Sequence, residues 1–476
     1  MTESYAGRAI CVAGIAVSGA AAARALAEGS ARVTVVDERD GPREQEAAAA
    51  LERLGASVRL GKGATADLPD GVELVVTSPG WRPDAPLLRA ALDRGIEVVG
   101  EPELAWRLRP EPPRTPDARR TEWLGVTGTN GKTTTVGMLA SILQAAGYRT
   151  TAAGNVGAPL VDAVLADPAY DVIAVEMSSF QLHWSSQLSF DSAVVLNLAP
   201  DHLDWHGSLD AYAAAKSRIY RGSREQLFNA DDPATEALLP PRGDDRCAHG
   251  FSITRRADFC IEDGVLVDRT TSGHQLAAVD DIALPGPHNL ANALAAAGLA
   301  RLLSLRSDFE VPPAAVREGL RVFRPGEHRN QLVATAGGVA YVDDSKATNP
   351  HAAAASLSAY DRVVWIAGGL LKGAAVDELV AAHARRLRAV VLIGRDRPQL
   401  ASALARHAPD VPVVEVAATE TGAMRTAVRT AAGLATPGDT VLMAPAAASM
   451  DMFVDYADRG AQFAAAAREV AEDRVP

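Results

Sequence analysis

The stretch from Trp123 to Thr135 narrows the fold more than any other part of this chain. Its apolar start predicts a buried strand, and Gly128-Thr129-Asn130-Gly131-Lys132-Thr133 predicts a glycine-rich turn. Val136, Leu139, Ile142, Leu143 and Ala146 follow at helical spacing. Strand, glycine turn and helix in that order aim backbone N–H groups and a helix N-terminus at one point, which makes an anion site. Lys132 adds a mobile positive charge, and the Thr133 hydroxyl can reach a phosphate-bound Mg²⁺. Val126 stands where the common phosphate loop has its first glycine, so this is a shorter variant. On the loop alone, nucleotide binding and a plain helix start both stay open.

The same alternation of strand and helix runs through the whole chain, which predicts an α/β protein with mainly parallel sheets. At 476 residues it is too long for one core, so several domains are expected. In the first region the clearest strands are Ala9–Ala13, Val33–Val36 and Leu74–Thr77. Gly14-Ile15-Ala16-Val17-Ser18-Gly19 follows the first of them and Asp37 ends the second, like a dinucleotide fingerprint with its acid about 20 residues on. Ala16 replaces the middle glycine, and its methyl hinders close approach of a pyrophosphate. NAD, a related nucleotide and a plain helix start are all compatible with this pattern. Ser78-Pro79-Gly80 closes the third strand as a rigid turn, and the proline-rich Arg109–Pro116 marks a domain boundary.

In the middle region Asp171–Val175 runs into Glu176, and Ser192–Leu198 runs into Asp201-His202. All strand C-termini of a parallel sheet lie on one edge, where ligands bind. The Lys132 loop, Glu176 and the Asp201/His202 cluster are therefore expected to converge as a Mg²⁺ site. Lys216, on the alanine-rich helical stretch Tyr212–Tyr220, reads as a lysine reaching solvent unless its helix faces the phosphate site. Residues 223–285 read as short strands and polar turns without assignable chemistry. Pro287-His288-Asn289 opens a helix to about Leu303. A third alternation begins near Arg321, where Val339–Val342, Val363–Ala367, Ala389–Ile393 and Thr440–Met443 each lead into polar or glycine-containing turns.

The net charge of −12 argues against a nucleic-acid partner. Cys11, Cys247 and Cys260 have neither metal-ligand spacing nor an even count, as expected in a reducing cytosol. Nothing resembles a signal peptide and no apolar run is long enough to span a bilayer. The expectation is a cytoplasmic chain with no membrane partner.

Taken together, Gly128–Thr133, Glu176-Met177-Ser178-Ser179-Phe180-Gln181-Leu182, Asp201-His202-Leu203-Asp204, His288-Asn289 and His328-Arg329 resemble the Mur ligases. These are ATP-dependent amino-acid ligases of peptidoglycan precursor synthesis. The resemblance implies three domains. A Rossmann-like domain for UDP spans 1–112, a central P-loop-type ATPase domain with a mainly parallel sheet spans 113–322, and a Rossmann-like domain for the amino acid spans 323–476. Asp344-Ser345-Lys346-Ala347-Thr348-Asn349 and the Ala444–Phe463 stretch resemble members that add D-glutamate to UDP-N-acetylmuramoyl-L-alanine through an acyl phosphate. Ala16 replaces a family glycine, Ala447 stands where cysteine is frequent, and Tyr456 where phenylalanine is frequent.

The resemblance also implies roles, residue by residue. Gly128, Thr129, Asn130, Gly131, Lys132, Thr133, Thr134, Asn289, Arg329 and Asp344 would bind ATP. Gly14, Val17, Ser18, Gly19, Asp37, Ser78, Gly80, Asn155 and Gln181 would bind the UDP substrate. Thr348, Lys372, Ser449 and Tyr456 would bind D-glutamate, and Lys132, His202, Lys216 and Lys346 would be catalytic. Thr133 and Glu176 would hold one Mg²⁺, and His202 with a carbamylated Lys216 a second. A monomer is expected.

Overall fold

The computed structural model describes residues 4–111, 120–241, 246–271, 273–306, 308–417 and 422–473. Among the described residues three sheets form. The first is all parallel, in the order Ser57–Leu60, Arg32–Asp37, Ala9–Ala13, Leu74–Thr77, Glu97–Gly100. Its strands are apolar on both faces, and alternate residues supply different cores. Ile10, Val12, Val33, Val35, Leu74 and Val76 face one cluster, whereas Cys11, Ala13, Val36 and Val75 face another. Near-continuous apolar runs are what a parallel sheet covered by helices on both faces requires. Ser57–Leu60 and Glu97–Gly100 gave no such run, because each is a short edge strand with partly exposed residues.

The second sheet has nine strands. Its parallel part runs Cys247–Ser252, Glu225–Asn229, Ser192–Val195, Glu122–Thr127, Val172–Glu176, Thr150–Gly154. Phe259–Glu262 continues it in parallel, and Val265–Asp268 and His274–Ala278 extend it as antiparallel strands. Among the described residues of 223–285 lie five strands of this sheet, from Glu225–Asn229 to His274–Ala278, and the polar turn at Glu262-Asp263-Gly264 is a hairpin. The third sheet runs Gln331–Ala336, Val339–Asp343, Thr440–Met443, Val363–Gly368, Leu387–Ile393, Val413–Glu415, antiparallel only at its first pair. Here too the period of two divides the core: Trp365 and Ala367 lie in one apolar cluster, Val364 and Ile366 in the other.

The chain divides into two compact units. One comprises Met1–Leu198, Trp205–Asp281 and Ala291–Phe323, the other Ala199–Asp204, Ile282–Leu290 and Arg324–Pro476. The first two sheets thus share a unit, with one apolar cluster running from Ile10 and Val12 through Leu104 to Trp123 and Phe190. The expected boundary between 112 and 113 lies outside the described residues.

Two buried carboxylates seam the first two sheets together. Glu103, fully buried, accepts hydrogen bonds from the backbone N–H groups of Ser186, Gln187 and Leu188 and pairs with Arg107. Glu101 accepts one from Val161 N at 2.7 Å, and its other oxygen is buried without a hydrogen-bond partner among the described residues. Burial pushes the Glu101 carboxyl up to about 7, against that bond and with help from Asp162.

Candidate active site

The strand Glu122–Thr127 sits inside its sheet, between Ser192–Val195 and Val172–Glu176. The loop after it turns left-handed at Gly131, with φ +83°, and enters the helix Lys132–Ala145. The Gly131 torsion favours glycine, and a Cβ there would lie 2.3 Å from Asn292 Oδ1, so that side chain would also have to move. Asn197 braces the loop by bonding both the N–H and the carbonyl of Asn130. Lys132 Nζ donates to the Gly128 and Thr129 carbonyls, each at 2.9 Å, and Thr134 is buried in the first helical turn.

Thr133 Oγ1 donates to Glu176 Oε2 at 2.8 Å, while Asn155 Nδ2 donates to Glu176 Oε1 at 2.8 Å. Glu176 is itself buried, at 1% exposure. Neighbouring strands thus bring Lys132, Thr133, Glu176 and Asn155 to one sheet edge. Of the two readings open for Lys216, the structure supports the one in which its helix faces the phosphate loop. Lys216 is 1% exposed, and its Nζ donates to the Gly128 carbonyl at 2.7 Å beside the Tyr212 ring. The helix Leu209–Ser217 buries this face against the phosphate loop, where the Tyr212 hydroxyl lies 3.1 Å from Thr129 Oγ1. Gln181 is also buried, and its carbonyl oxygen closes a capping box with Ser178 at the start of Ser179–His183.

His202 belongs to the other unit. Its backbone is left-handed, φ +52°, with its N–H donating to Asp201 Oδ1. Asp201 Oδ2 in turn accepts from Asn349 Nδ2 at 3.3 Å. The edge predicted for the phosphate loop is therefore assembled at Glu176, whereas Asp201 and His202 group with the C-terminal residues.

The other glycine loop, in the first sheet, lines a cavity of about 400 Å³ with Ala16, Val17, Ser18, Asp37, Arg39, Ser78, Gly80 and Trp81. Gly14 is left-handed at φ +102°, and a Cβ on Gly19 would meet the Gly14 carbonyl oxygen at 1.9 Å. Ala16 needs neither freedom: it precedes the helix Val17–Glu28 with φ −66°. Asp37 is only 5% exposed. Its Oδ2 accepts from Ile15 N and Arg39 Nη2, and its Oδ1 accepts from Arg39 N and Nε. Burial pushes this carboxyl up, but the bonds from Arg39 and Ile15 outweigh it and hold it below its usual range. Arg39 and Trp81 were not singled out from the sequence.

In the second unit three turns meet on one edge. Leu370 and Ala448 exchange backbone hydrogen bonds, Gly368 N donates to Pro445 O, and Ala446 N to Ala347 O. Adjacent strands thereby join the segments carrying Lys346 and Thr348, Lys372, and Ser449. Lys346 Nζ stands 3.7 Å from the centre of the Tyr456 ring, and Lys372 and Ala446 are left-handed. Strain of this kind collects at functional sites. Asp344 accepts from Ser356 and from Asn330 N, with Arg329 nearby, and burial pushes its carboxyl up to about 6. Asn289 donates to Pro285 O within its own helix start.

Arg459, fully buried, clamps this edge from behind. It donates to Ser345 Oγ and O and to the Ala447 carbonyl, at 2.8–3.0 Å. Burial lowers its guanidinium to about 10.

Among the described residues no three His, Cys, Asp or Glu side chains cluster as a metal cage. The Thr133–Glu176 contact instead offers one hydroxyl and one carboxylate, the donor set of a Mg²⁺ that takes its remaining ligands from phosphates and water. The chemistry this edge supports is phosphoryl transfer from a nucleotide, with Lys132 as the cation on the moving phosphate.

The Mur ligase middle domain matches residues 126–300, the Mur ligase glutamate ligase domain 328–447, and the Mur ligase MurD-like N-terminal domain 8–100. The chain is 55% identical over 481 residues to the UDP-N-acetylmuramoylalanine–D-glutamate ligase of Streptomyces coelicolor, covering 99% of this chain and 100% of that one. It is 54% identical to the Thermobifida fusca protein of the same name, covering 98% and 99%. Among solved structures, the UDP-N-acetylmuramate-alanine ligase of Thermotoga maritima aligns with a TM-score of 0.56 at 19% identity, over 97% of this chain and 99% of that one. That likeness speaks for the fold.

Proposed function

This chain belongs to the Mur ligase family, and from that premise we propose that it is an ATP-dependent ligase joining D-glutamate to UDP-N-acetylmuramoyl-L-alanine in peptidoglycan precursor synthesis. What carries the reading beyond the full-length likeness is the contact of Thr133 with Glu176 at the end of a glycine loop whose carbonyls also accept from Lys132 and Lys216. A pure nucleotide binder has no need of that set.

An oxygen of the L-alanine carboxylate attacks the γ-phosphorus of ATP, the bond to the bridging oxygen breaks, and ADP leaves. The D-glutamate amine then attacks the acyl carbon, loses a proton, and the tetrahedral adduct expels phosphate. Lys132 neutralises charge on the transferring phosphoryl group, where positioning and electrostatics supply most of the catalysis. Thr133 and Glu176 would hold one Mg²⁺, and His202 with Lys216 as its carbamate a second; these ions would supply further charge neutralisation. What supports that role for Lys216 is its position: its side chain is buried and its Nζ lies against the Gly128 carbonyl of the loop that bears Lys132 and Thr133. Gly14, Val17, Ser18, Gly19, Asp37, Ser78 and Gly80 take the UDP end of the substrate, with Asn155 and Gln181 nearer the reacting end. Asn289, Arg329 and Asp344 take the adenosine nucleotide. Lys346, Thr348, Lys372, Ser449 and Tyr456 receive D-glutamate, whose two carboxylates call for cations and hydroxyls. We place the protein in the cytoplasm as a monomer, with neither nucleic acid nor membrane as partner.

The test is phosphate release with a panel of amino acids, with and without the muramoyl nucleotide. Turnover is expected only when D-glutamate and the nucleotide are both present. Full-rate release with L-glutamate, or without the nucleotide, overturns the assignment.

A further inference from the structure

The cavity at the first glycine loop holds a side chain that the glycine fingerprint does not account for. Trp81 lies three residues past Ser78, in the turn that closes Leu74–Thr77, and its half-buried ring packs against the cluster containing Val75 and Leu87. A carbon placed on Gly14 would lie 2.4 Å from Ser78 Oγ and 3.2 Å from Trp81 Nε1. Both groups therefore converge on the face of Gly14 at the cavity. Among the described residues the Ser78 hydroxyl oxygen is buried without a hydrogen-bond partner. An orphaned buried hydroxyl is destabilising, so a site that keeps one has a use for it.

The chemistry of the pair narrows the ligand. An indole N–H can only donate, and a serine hydroxyl can donate at the same time. Two donors meeting at a left-handed glycine, next to the N-terminus of the twelve-residue helix Val17–Glu28, suit a phosphate oxygen. Asp37 does not compete for that place. Its two oxygens hold the loop through Ile15 and Arg39, so it shapes the cavity without presenting a free carboxylate to the anion. Ala16 bears on the same question. Its methyl group lines the cavity where a dinucleotide loop keeps a bare glycine, so the loop backbone alone offers the phosphates less close contact. Donors from the Ser78–Trp81 turn compensate from across the cleft.

We infer that the Trp81 indole N–H and the Ser78 hydroxyl together donate to a phosphate oxygen of the nucleotide end of the substrate. Trp81 is thus a binding residue of this pocket. The inference rests on reading the cavity as the UDP site, and the experiment separates the two. UDP and uridine are titrated against the full-length wild type, Trp81→Phe and Ser78→Ala. Phenylalanine keeps the ring and removes only the N–H. Each variant is expected to bind UDP about tenfold more weakly and uridine within twofold of wild type, since the lost bond is to a charged group. Equal weakening of UDP and uridine by Trp81→Phe would mean that the ring serves the base or the cavity wall, and would overturn the phosphate role. Unchanged UDP affinity in Trp81→Phe overturns it as well. If Trp81→Phe melts early, Ser78→Ala decides by the same contrast. If wild type binds neither ligand, the UDP-site reading itself has failed.

Discussion

The two glycine loops of the first unit occupy equivalent places, each between a buried parallel strand and a helix, yet they are built for different work. The loop at Gly128–Lys132 carries its own cation, touches a buried carboxylate through Thr133, and has Lys216 against its carbonyls. The loop at Gly14–Gly19 carries no charge, and the nearby Asp37 is tied up in holding the loop and Arg39. Both present N–H groups to an anion, but only the first can follow charge that moves during a reaction. A glycine loop therefore announces phosphate, whereas the cation and the oxygen donors around it announce phosphoryl transfer.

Lys132→Ala should break the comparison most severely. Loss of the charged clamp is expected to lower kcat by about ten-thousandfold while KM for the muramoyl nucleotide, for which we propose the other loop, stays within threefold. Near-normal kcat would make the two loops equivalent after all. Lys216→Arg comes next, with an expected loss of about a thousandfold, because arginine keeps the positive charge but cannot form the same carbamate. Bicarbonate should restore activity to wild type depleted of CO₂ and leave the variant inactive. A fully active Lys216→Arg ends the carbamate role.

The contrast between the loops was only half legible in the sequence. Lys132 and Thr133 could be read because they are contiguous with the glycines and flanked by clear strand and helix periodicity. Asp37 could be located by spacing, but spacing does not say which donors saturate it, so Arg39 went unseen. Lys216 and Arg459 were obscured for one physical reason. A cation on an alanine-rich helix ordinarily reads as solvated, and only segments far away in sequence bury these two: Gly128 for Lys216, Ser345 and Ala447 for Arg459. The seam was hidden likewise, since Glu101 and Glu103 look like ordinary first-turn acids complementing the dipole of the helix Glu101–Leu108.

That seam decides whether the two loops ride on one body, and it carries a pH dependence. Glu101 is raised from 4.5 to about 7 by burial, so between those values the folded state binds more protons than the unfolded state. Its contribution is therefore fully present at low pH and lost as pH rises through 7, on the order of 3 kcal/mol across the window. His183, lowered to about 4 by burial, acts in the opposite direction, losing stability as pH falls below 6.5. In Glu101→Gln the alkaline loss should vanish, and the variant should melt above wild type at pH 8 but not at pH 5. Equal melting shifts at both pH values would remove Glu101 as the cause.

The smallest effect is expected from Ala16→Gly, and it addresses the comparison most directly. Gly14 and Gly19 are glycines because of torsion and a 1.9 Å backbone approach, requirements of the loop itself. Ala16 has φ −66°, which any residue adopts, and it is exposed at the cavity, so the loop backbone itself does not require its methyl group. The helix Val17–Glu28 should tolerate the change, since glycine at a helix N-cap is no worse than alanine. Removing the methyl opens the loop backbone to the phosphates, and UDP should bind up to threefold tighter, under 1 kcal/mol. The stronger prediction is for the coupling. In Ala16→Gly, donors from the loop backbone become available, so Trp81→Phe should cost less in that background than in wild type. A double-mutant cycle on UDP affinity reads this directly. Strict additivity would mean that the Ala16 methyl and the Trp81 N–H serve different parts of the ligand, and that the loop's missing glycine is not what the tryptophan offsets.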